Sequence, residues 1–207
     1  MPLRQDSNYL YVERPATGAE IAAELGHLQL PMATLPDEGL FSGDLAGLEL
    51  AHRGVVMVHR GGAAAPSRPA VEVGHRELEP LRRASILAEP WGSEAVADQL
   101  LAAKPLVAER LTARFFAAYE DGEPVAYADL YLAGTEAQIE DVGTAPARRG
   151  RGHGTAVVLT ALAAAHAAGA DFVFLVADED DWPHQWYARL GFETVGRYVK
   201  LRLGEAP

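Results

Sequence analysis

The sequence predicts a mixed α/β (α+β) domain: a mostly antiparallel sheet with helices on both faces, preceded by a small N-terminal α/β extension. Three observations carry the prediction. Residues 112–144 hold three strand-like runs, separated by Asp121-Gly122 and Gly134. The densest glycine cluster, Gly150-Arg-Gly-His-Gly154, opens a long apolar helix that leads into a further strand. The stretch Arg60-Gly-Gly-Ala-Ala-Ala-Pro-Ser-Arg-Pro69 has no apolar period and reads as a linker. It sets the extension at residues 1–68 and the larger part at residues 69–207.

In the extension, residues 9–12 read as a strand, 18–28 as a helix and 48–58 as one or two strands. The larger part starts with a strand over 70–75, where Val71 and Val73 alternate with polar neighbours. Residues 78–87 form a short helix stopped by Glu89-Pro90. Ser93 caps a second helix with Val96, Leu100 and Leu101 on one face. Pro105 should kink or divide it. Strands over 112–119 and 125–132 meet at Asp121-Gly122, a hairpin signal, and a third covers 137–144. The helix over 155–168 repeats Val158, Ala161, Leu162 and Ala165 at helical spacing, and Gly169 stops it. Residues 172–176 are continuously apolar, as in a strand buried on both faces. Residues 182–190 read as a helix ended by Gly191, and 194–203 as a final strand or hairpin.

Composition bounds the function. The 207 residues are 49% hydrophobic and 23% charged, enough apolar material for a core. Lys plus Arg is 18 and Asp plus Glu 29, a net charge of −11. Such a surface repels phosphate backbones and anionic lipids, so neither nucleic acid nor membrane is an expected partner. It attracts cations. The chain has no cysteine, which excludes disulfides, a thiolate nucleophile and Cys-based metal sites. No cluster with metal-ligand spacing stands out, so no metal is expected. Residues 1–12 hold no apolar signal segment, and a cytoplasmic location is expected. Residues 155–177 are apolar for about the length of a bilayer span. His166, Gly169 and Asp171 interrupt them, and they read as a buried helix followed by a strand.

Chemistry concentrates in Ile139-Glu-Asp-Val-Gly-Thr-Ala-Pro-Ala-Arg-Arg-Gly-Arg-Gly-His-Gly154. A strand runs through Pro146 into a glycine turn and a helix. Glycines let a ligand approach the backbone. The first amides of a helix have no intrahelical acceptors, and the helix dipole adds positive potential. Arg148, Arg149 and Arg151 make this the most basic spot on the chain. Together these form an anion site. It is not a nucleotide-triphosphate loop, because no Gly-Lys-Ser/Thr occurs here. It is not a dinucleotide fingerprint, because the spacing is Gly150-x-Gly152-x-Gly154 and the preceding strand belongs to a meander.

The spacing Arg149-x-x-Gly152-x-Gly154, with Ile139, Val142, Thr144 and Pro146 upstream, resembles the acyl-CoA signature of the GNAT superfamily of N-acetyltransferases. Downstream, residues 172–176 and then Tyr187-Ala-Arg-Leu-Gly191-Phe192 resemble the family's next strand and helix. The resemblance spans about residues 71–203. It implies acetyl-CoA as co-substrate and an amine acceptor, either a small molecule or a peptide. It also implies roles for individual residues. The backbone of Arg149, Gly150, Arg151, Gly152, His153, Gly154 and Thr155 would hold the pyrophosphate. Val142, Gly143 and Thr144 would line the pantetheine arm, with the Val142 amide polarising the thioester carbonyl. Tyr187 would protonate the departing thiolate. Glu140 is the candidate base for the amine proton, against a plain surface or arginine-paired role. Strand alternation would turn Asp141 to the opposite face unless a bulge intervenes. Asp180 stands where many members carry an Asn that contacts the CoA arm, and it can accept a hydrogen bond but not donate one.

Other residues have plainer readings. Tyr187 alone could be an ordinary half-buried tyrosine. Arg148 and Arg151 could be surface charges, and His153 is expected to point to solvent. His166 reads as a structural histidine and His184 as a surface one. Trp91, Trp182 and Trp186 default to core packing. Gly47-Leu48-Glu49 followed by Val55-Val56-Met57-Val58 loosely echoes Gly191-Phe192-Glu193 followed by Tyr198-Val199-Lys200-Leu201. The extension could thus be a degenerate partial GNAT-like unit, or the two could be unrelated hairpins. It could cover the acceptor site, complete the sheet or form a homodimer interface. The main reading is an N-acetyltransferase using direct transfer in a ternary complex. The alternative is a non-catalytic acyl-CoA-binding or regulatory domain. A third, an interaction protein acting through residues 1–60, would need an exposed apolar patch there.

Overall fold

A computed structural model describes residues 9–36, 38–62 and 65–204. Residues 63 and 64 of the linker lie outside the described residues. The elements begin with β1 (Tyr9–Tyr11), β2 (Ala16–Thr17), α1 (Gly18–Leu28), β3 (Met32–Leu35), β4 (Phe41–Ser42) and β5 (Leu48–His59). Then come β6 (Val71–Val73), α2 (Glu79–Leu87), α3 (Glu94–Ala108), β7 (Thr112–Glu120), β8 (Glu123–Ala133) and β9 (Glu136–Thr144). The chain ends with α4 (His153–Ala167), β10 (Phe172–Asp178), α5 (Pro183–Arg189) and β11 (Phe192–Leu203). It divides into two compact units. One is Met1–Met57, Val176–Arg189 and Glu193–Pro207, and the other is Val58–Leu175 and Leu190–Phe192.

In the first unit, α1 starts at a capping box. The Thr17 hydroxyl accepts from the Glu20 amide at 3.2 Å, and the Glu20 carboxylate accepts from the Thr17 amide at 2.8 Å. Ile21 and Leu25, four residues apart, enter a core with Val12, Ala33, Leu35, Leu48, Val199 and Leu201. β1 runs parallel to β3, and β3 antiparallel to β11. β2 and β4 pair separately. β5 and β11 are each a single strand of 12 residues, entered from the left-handed glycines Gly47 (φ 84°) and Gly191 (φ 94°).

In the second unit the strand order is β10-β9-β8-β7-β6. All neighbours are antiparallel except β9 and β10. Asp121 (φ 55°) and Gly122 (φ 83°) make the β7–β8 turn, as the Asp-Gly signal requires. Helices cover both faces. Arg114 on β7, opposite Leu130, donates to the Ala164 carbonyl of α4 at 3.4 Å. On the other face Leu78, just before α2, packs with Phe115, Ala117 and Tyr127. The Ser93 hydroxyl caps α3 through the Val96 amide.

Four expectations need correction. α3 is not divided at Pro105. The proline stands three residues from the helix end, where its missing N–H costs one bond, and Glu109 still donates to the Pro105 carbonyl. β10 is not buried on both faces: Val173, Leu175 and Ala177 are buried, while Phe172 and Val176 are 40% and 37% exposed. An unbroken apolar run therefore marks the strand but not its cover. Trp91 and Trp182 are 60% and 58% exposed, because each sits on a connection outside a helix or strand rather than on a core-facing position.

Candidate active site

The site is built around β9. Its pairing with β10 covers three residues, Glu136, Ala137 and Gln138, and stops there, while its pairing with β8 continues to Thr144. Between the pairs Tyr127–Gly143 and Asp129–Glu140, β8 advances two residues and β9 three. This is a β-bulge, and Asp141 carries it with φ 50°. A left-handed non-glycine residue costs of order 1–3 kcal/mol, so something must hold it. The bulge brings the Asp141 carboxylate to the face shared by Asp129 and Glu140.

Glu140 accepts a hydrogen bond from the Gln138 side-chain amide. Val142 is half-buried between Asp141 and Gly143. Gly143 lies under the Tyr127 ring, where a Cβ would come within 2.3 Å of Tyr127 Cζ. The Thr144 carbonyl accepts from Arg149 Nε at 3.3 Å. The loop then passes Gly150 (φ 73°) and Gly152 (φ 84°), conformations that favour glycine. Gly152 is the N-cap of α4, and no side chain caps the helix. Gly154 and Thr155 are half-buried in its first turn.

The loop arginines do not all face outward alone. Arg148 and Arg151 converge on Glu120, with Arg151 Nη1 at 3.0 Å, and Arg148 also reaches Asp121. His153 is buried at 2% exposure, which corrects its expected solvent position. As the first residue of α4 it turns inward, and its Nε2 lies 3.5 Å from a Glu120 oxygen.

Tyr187 and Asp180 belong to the first unit. Tyr187 is 7% exposed, with its ring centroid 4.7 Å from that of half-buried Trp186. Asp180 is exposed, and its backbone amide donates to Asp178 Oδ1 at 2.8 Å. The same unit holds a chain of polar groups not anticipated from sequence. His52 Nδ1 lies 3.2 Å from Asp178 Oδ2, and His52 Nε2 lies 3.2 Å from the Tyr198 hydroxyl.

The larger surprise lies in the second unit. Arg82 (2% exposed) donates to Asp129 (0% exposed) and to Asp141. Lys104 Nζ donates to Asp129 at 2.7 Å and to Asp141 at 2.6 Å. Tyr131 donates to Asp129 at 2.8 Å. Burial pulls the Lys104 ammonium below its ordinary pKa against the nearby Asp129, while the Arg82 charge adds to the drop. Burial, reinforced by Asp129, pushes the Tyr131 phenol up.

Residues 76–192 match the sequence family described as the acetyltransferase (GNAT) family. The chain belongs to the GNAT acetyltransferase family. Solved GNAT structures share its fold. A GCN5-related N-acetyltransferase from Kribbella flavida is similar over 94% of this chain and 80% of its own, at 19% identity and TM-score 0.61. A tandem GNAT protein from the clavulanic acid biosynthesis pathway covers 91% and 69%, at 18% identity and TM-score 0.64. A conserved protein of unknown function from Staphylococcus epidermidis ATCC 12228 covers 98% and 87%, at 17% identity and TM-score 0.70. At these identities the likeness is one of fold. No curated protein matches the chain in sequence.

GNAT membership brings acetyl transfer in general, and acetyl-CoA is the co-substrate the family generally uses. The loop fits such a ligand: its glycines are left-handed and the helix behind it has no side-chain cap. Among the described residues, no group of three or more His, Asp or Glu could hold a metal ion. Nor is any of their helices long and apolar enough to cross a membrane. The buried cluster did leave a trace in the sequence. Asp129 interrupts Val125-Ala-Tyr-Ala-Asp-Leu-Tyr-Leu132, and Lys104 interrupts Leu100-Leu-Ala-Ala-Lys-Pro-Leu-Val107. A charge inside an apolar run needs a partner.

Proposed function

We propose that the chain is an acetyl-CoA-dependent N-acetyltransferase that passes the acetyl group directly to a primary amine in a ternary complex. The observation that carries the reading is the loop after β9, which enters α4 through two left-handed glycines and leaves the helix uncapped by side chains. In this reading the amides of residues 149–155 bind the pyrophosphate. The backbone of Val142, Gly143 and Thr144 lies along the pantetheine arm, and the Val142 amide takes the thioester oxygen as negative charge develops on it. Asp180 contributes at most an acceptor to that arm.

An ammonium has no lone pair, so the amine must lose a proton before attack. Glu140 takes it. The C–N bond then forms at the thioester carbon, the C–S bond breaks and Tyr187 gives its phenolic proton to the thiolate. The second proton of the attacking nitrogen leaves through solvent and returns the Tyr187 phenolate to phenol. The net charge of −11 favours a cationic acceptor. Residues 69–207 form the transferase domain in this reading, and residues 1–68 an extension to it.

The test is calorimetric titration with acetyl-CoA of the wild type and of Gly152→Glu. That substitution strains a left-handed position and puts a carboxylate at the anion site. Saturable binding, lost in the variant, is expected. An amine screen for CoA release then separates catalysis from binding: turnover should fall in Tyr187→Phe. Binding without turnover on any amine returns the non-catalytic reading. A folded wild type that does not bind acetyl-CoA overturns both.

A further inference from the structure

The buried cluster of Arg82, Lys104, Asp129 and Asp141 does more than satisfy its own charges. Buried ion pairs are weak devices for stability, because desolvation offsets much of their attraction. Their arrangement here points to what they hold. Arg82 Nη1 donates to Asp141, the bulge residue, and Nη2 donates to Asp129 on the neighbouring strand. One planar side chain thus ties the bulge of β9 to β8. Lys104 repeats the tie with a second cation, at 2.6 and 2.7 Å.

The residue two beyond Asp141 is fixed as well. Gly143 has no room for a Cβ beneath the Tyr127 ring. The same ring carries the Arg82 guanidinium carbon 4.5 Å from its centroid. Val142 therefore sits between two neighbours held by one arginine, directly on one side and through an aromatic ring on the other.

We propose that Arg82, assisted by Lys104, is a positioning residue that sets the direction of the Val142 amide by clamping Asp141. The proposal rests on the acetyl-transfer reading, which assigns that amide to the thioester carbonyl. Asp141 is then an anchor of the backbone. A fixed amide dipole stabilises developing charge only while its direction holds, since a dipole that must reorient spends part of its effect on doing so. The fork of an arginine suits this task, because its two Nη groups are fixed in one plane and hold the two carboxylates at a set direction, whereas an ammonium such as that of Lys104 bonds both as a freely rotating point charge.

The test is isotope-edited infrared difference spectroscopy of acetyl-CoA labelled with ¹³C at the thioester carbonyl. Its companion is the dissociation constant of acetyl-CoA by calorimetry. In the wild type the carbonyl band should lie below its position for acetyl-CoA in water, as a directed N–H donor requires. Asp141→Asn keeps the side-chain shape and removes the charge. Arg82→Lys keeps the charge and removes the fork. Each should leave the dissociation constant within about threefold, since the phosphate amides are untouched. Each should also move the band back toward the free value and broaden it. A merely structural cluster would change folding stability without moving the band.

Either variant binding acetyl-CoA with the wild-type band overturns the proposal. Asp141 is 35% exposed, so Asp141→Asn is the variant expected to fold if Arg82→Lys does not. Failure of the wild type to bind acetyl-CoA would instead overturn the acetyl-transfer reading, and this proposal with it. A wild type that binds, but with an undisplaced band, overturns the proposal alone.

Discussion

Adding one methyl group at Gly143 should be felt through the whole arrangement beneath the bulge. In Gly143→Ala the new Cβ would stand 2.3 Å from Tyr127 Cζ, 2.5 Å from its hydroxyl oxygen and 2.7 Å from Cε1. Real Cβ atoms do not tolerate such contacts, so the ring or the strand must move. The ring has little freedom. Tyr127 is 5% exposed, packs with Leu78, Phe115 and Ala117, and lies under the Arg82 guanidinium. Overpacking of this kind costs about 1–3 kcal/mol. Against it, Gly→Ala at an ordinary backbone conformation stabilises by about 0.4–1 kcal/mol through the unfolded chain. Gly143 is not left-handed, so that gain applies. The clash wins, and the net effect should be a loss of about 1–2 kcal/mol, or roughly 2–8 °C in Tm for a chain of this size.

Urea and thermal unfolding followed by circular dichroism measure this directly. A double-mutant cycle makes the reasoning specific. Tyr127→Ala removes the ring and should cost about 3–5 kcal/mol, in line with other buried aromatic truncations. In that background Gly143→Ala should no longer destabilise. The two substitutions should therefore couple by about 1–3 kcal/mol. Gly143→Ala unfolding at the wild-type midpoint or above it would refute the account. So would additivity of the two substitutions.

Two further predictions concern charges. Glu120 engages Arg148 and Arg151 beside the glycine loop. Glu120→Gln should release both for a polyanion and tighten acetyl-CoA binding several-fold at low salt, with the gain shrinking as salt is raised. Weaker binding in calorimetric titrations would show that Glu120 instead braces the loop. His59 is 6% exposed, edge-on to Phe192, and faces His166 with ring centroids 6.0 Å apart. Burial, and then the charge of His166, lower its pKa. A histidine depressed in the folded state contributes stability that is fully present above its unfolded value of about 6.5, and that is lost as pH falls toward the folded value. Unfolding free energy should thus drop as pH is lowered through this window, and His59→Phe should flatten the slope. An unchanged slope would remove His59 from the account.

What was legible in the sequence was local. The helix over 18–28 could be read from its own segment, and the structure adds a capping box between Thr17 and Glu20 at its start. The Asp121-Gly122 turn, the Ser93 cap and the stop at Gly191 are signals of the same kind. The arrangement of Arg82, Lys104, Asp129 and Asp141 could not be read. Its hydrogen-bonded partners lie 25–59 residues apart, so the charges that interrupt apolar runs at Lys104 and Asp129 show that partners are needed but not which ones. The bulge could be stated only as a condition, because the backbone at Asp141 is decided by partners on α2 and α3. His153 turned inward for a similar reason: Glu120, which it faces, arrives from the end of β7. The exposed side of β10 shows the converse limit, since hydrophobicity does not say which faces other elements will cover.

The two charge clusters of the second unit differ in a way that matches their positions. Around the glycine loop, Arg148 and Arg151 are 34% and 47% exposed and meet a carboxylate that is 22% exposed. Such pairs break and re-form at little cost, because water replaces either partner. Around the bulge, Arg82 and Asp129 are almost fully buried, and removing either would strand a charge in the interior. A phosphate-binding loop can tolerate loose pairs, since its ligand brings its own charge and displaces the counterion. An amide that must meet a developing oxyanion cannot wait for the ligand to organise it. Under the proposed acetyl-transfer reading, the costly cluster sits where direction matters and the cheap one where charge alone matters. That division supports a chain built to act on a bound acyl group as well as to hold it.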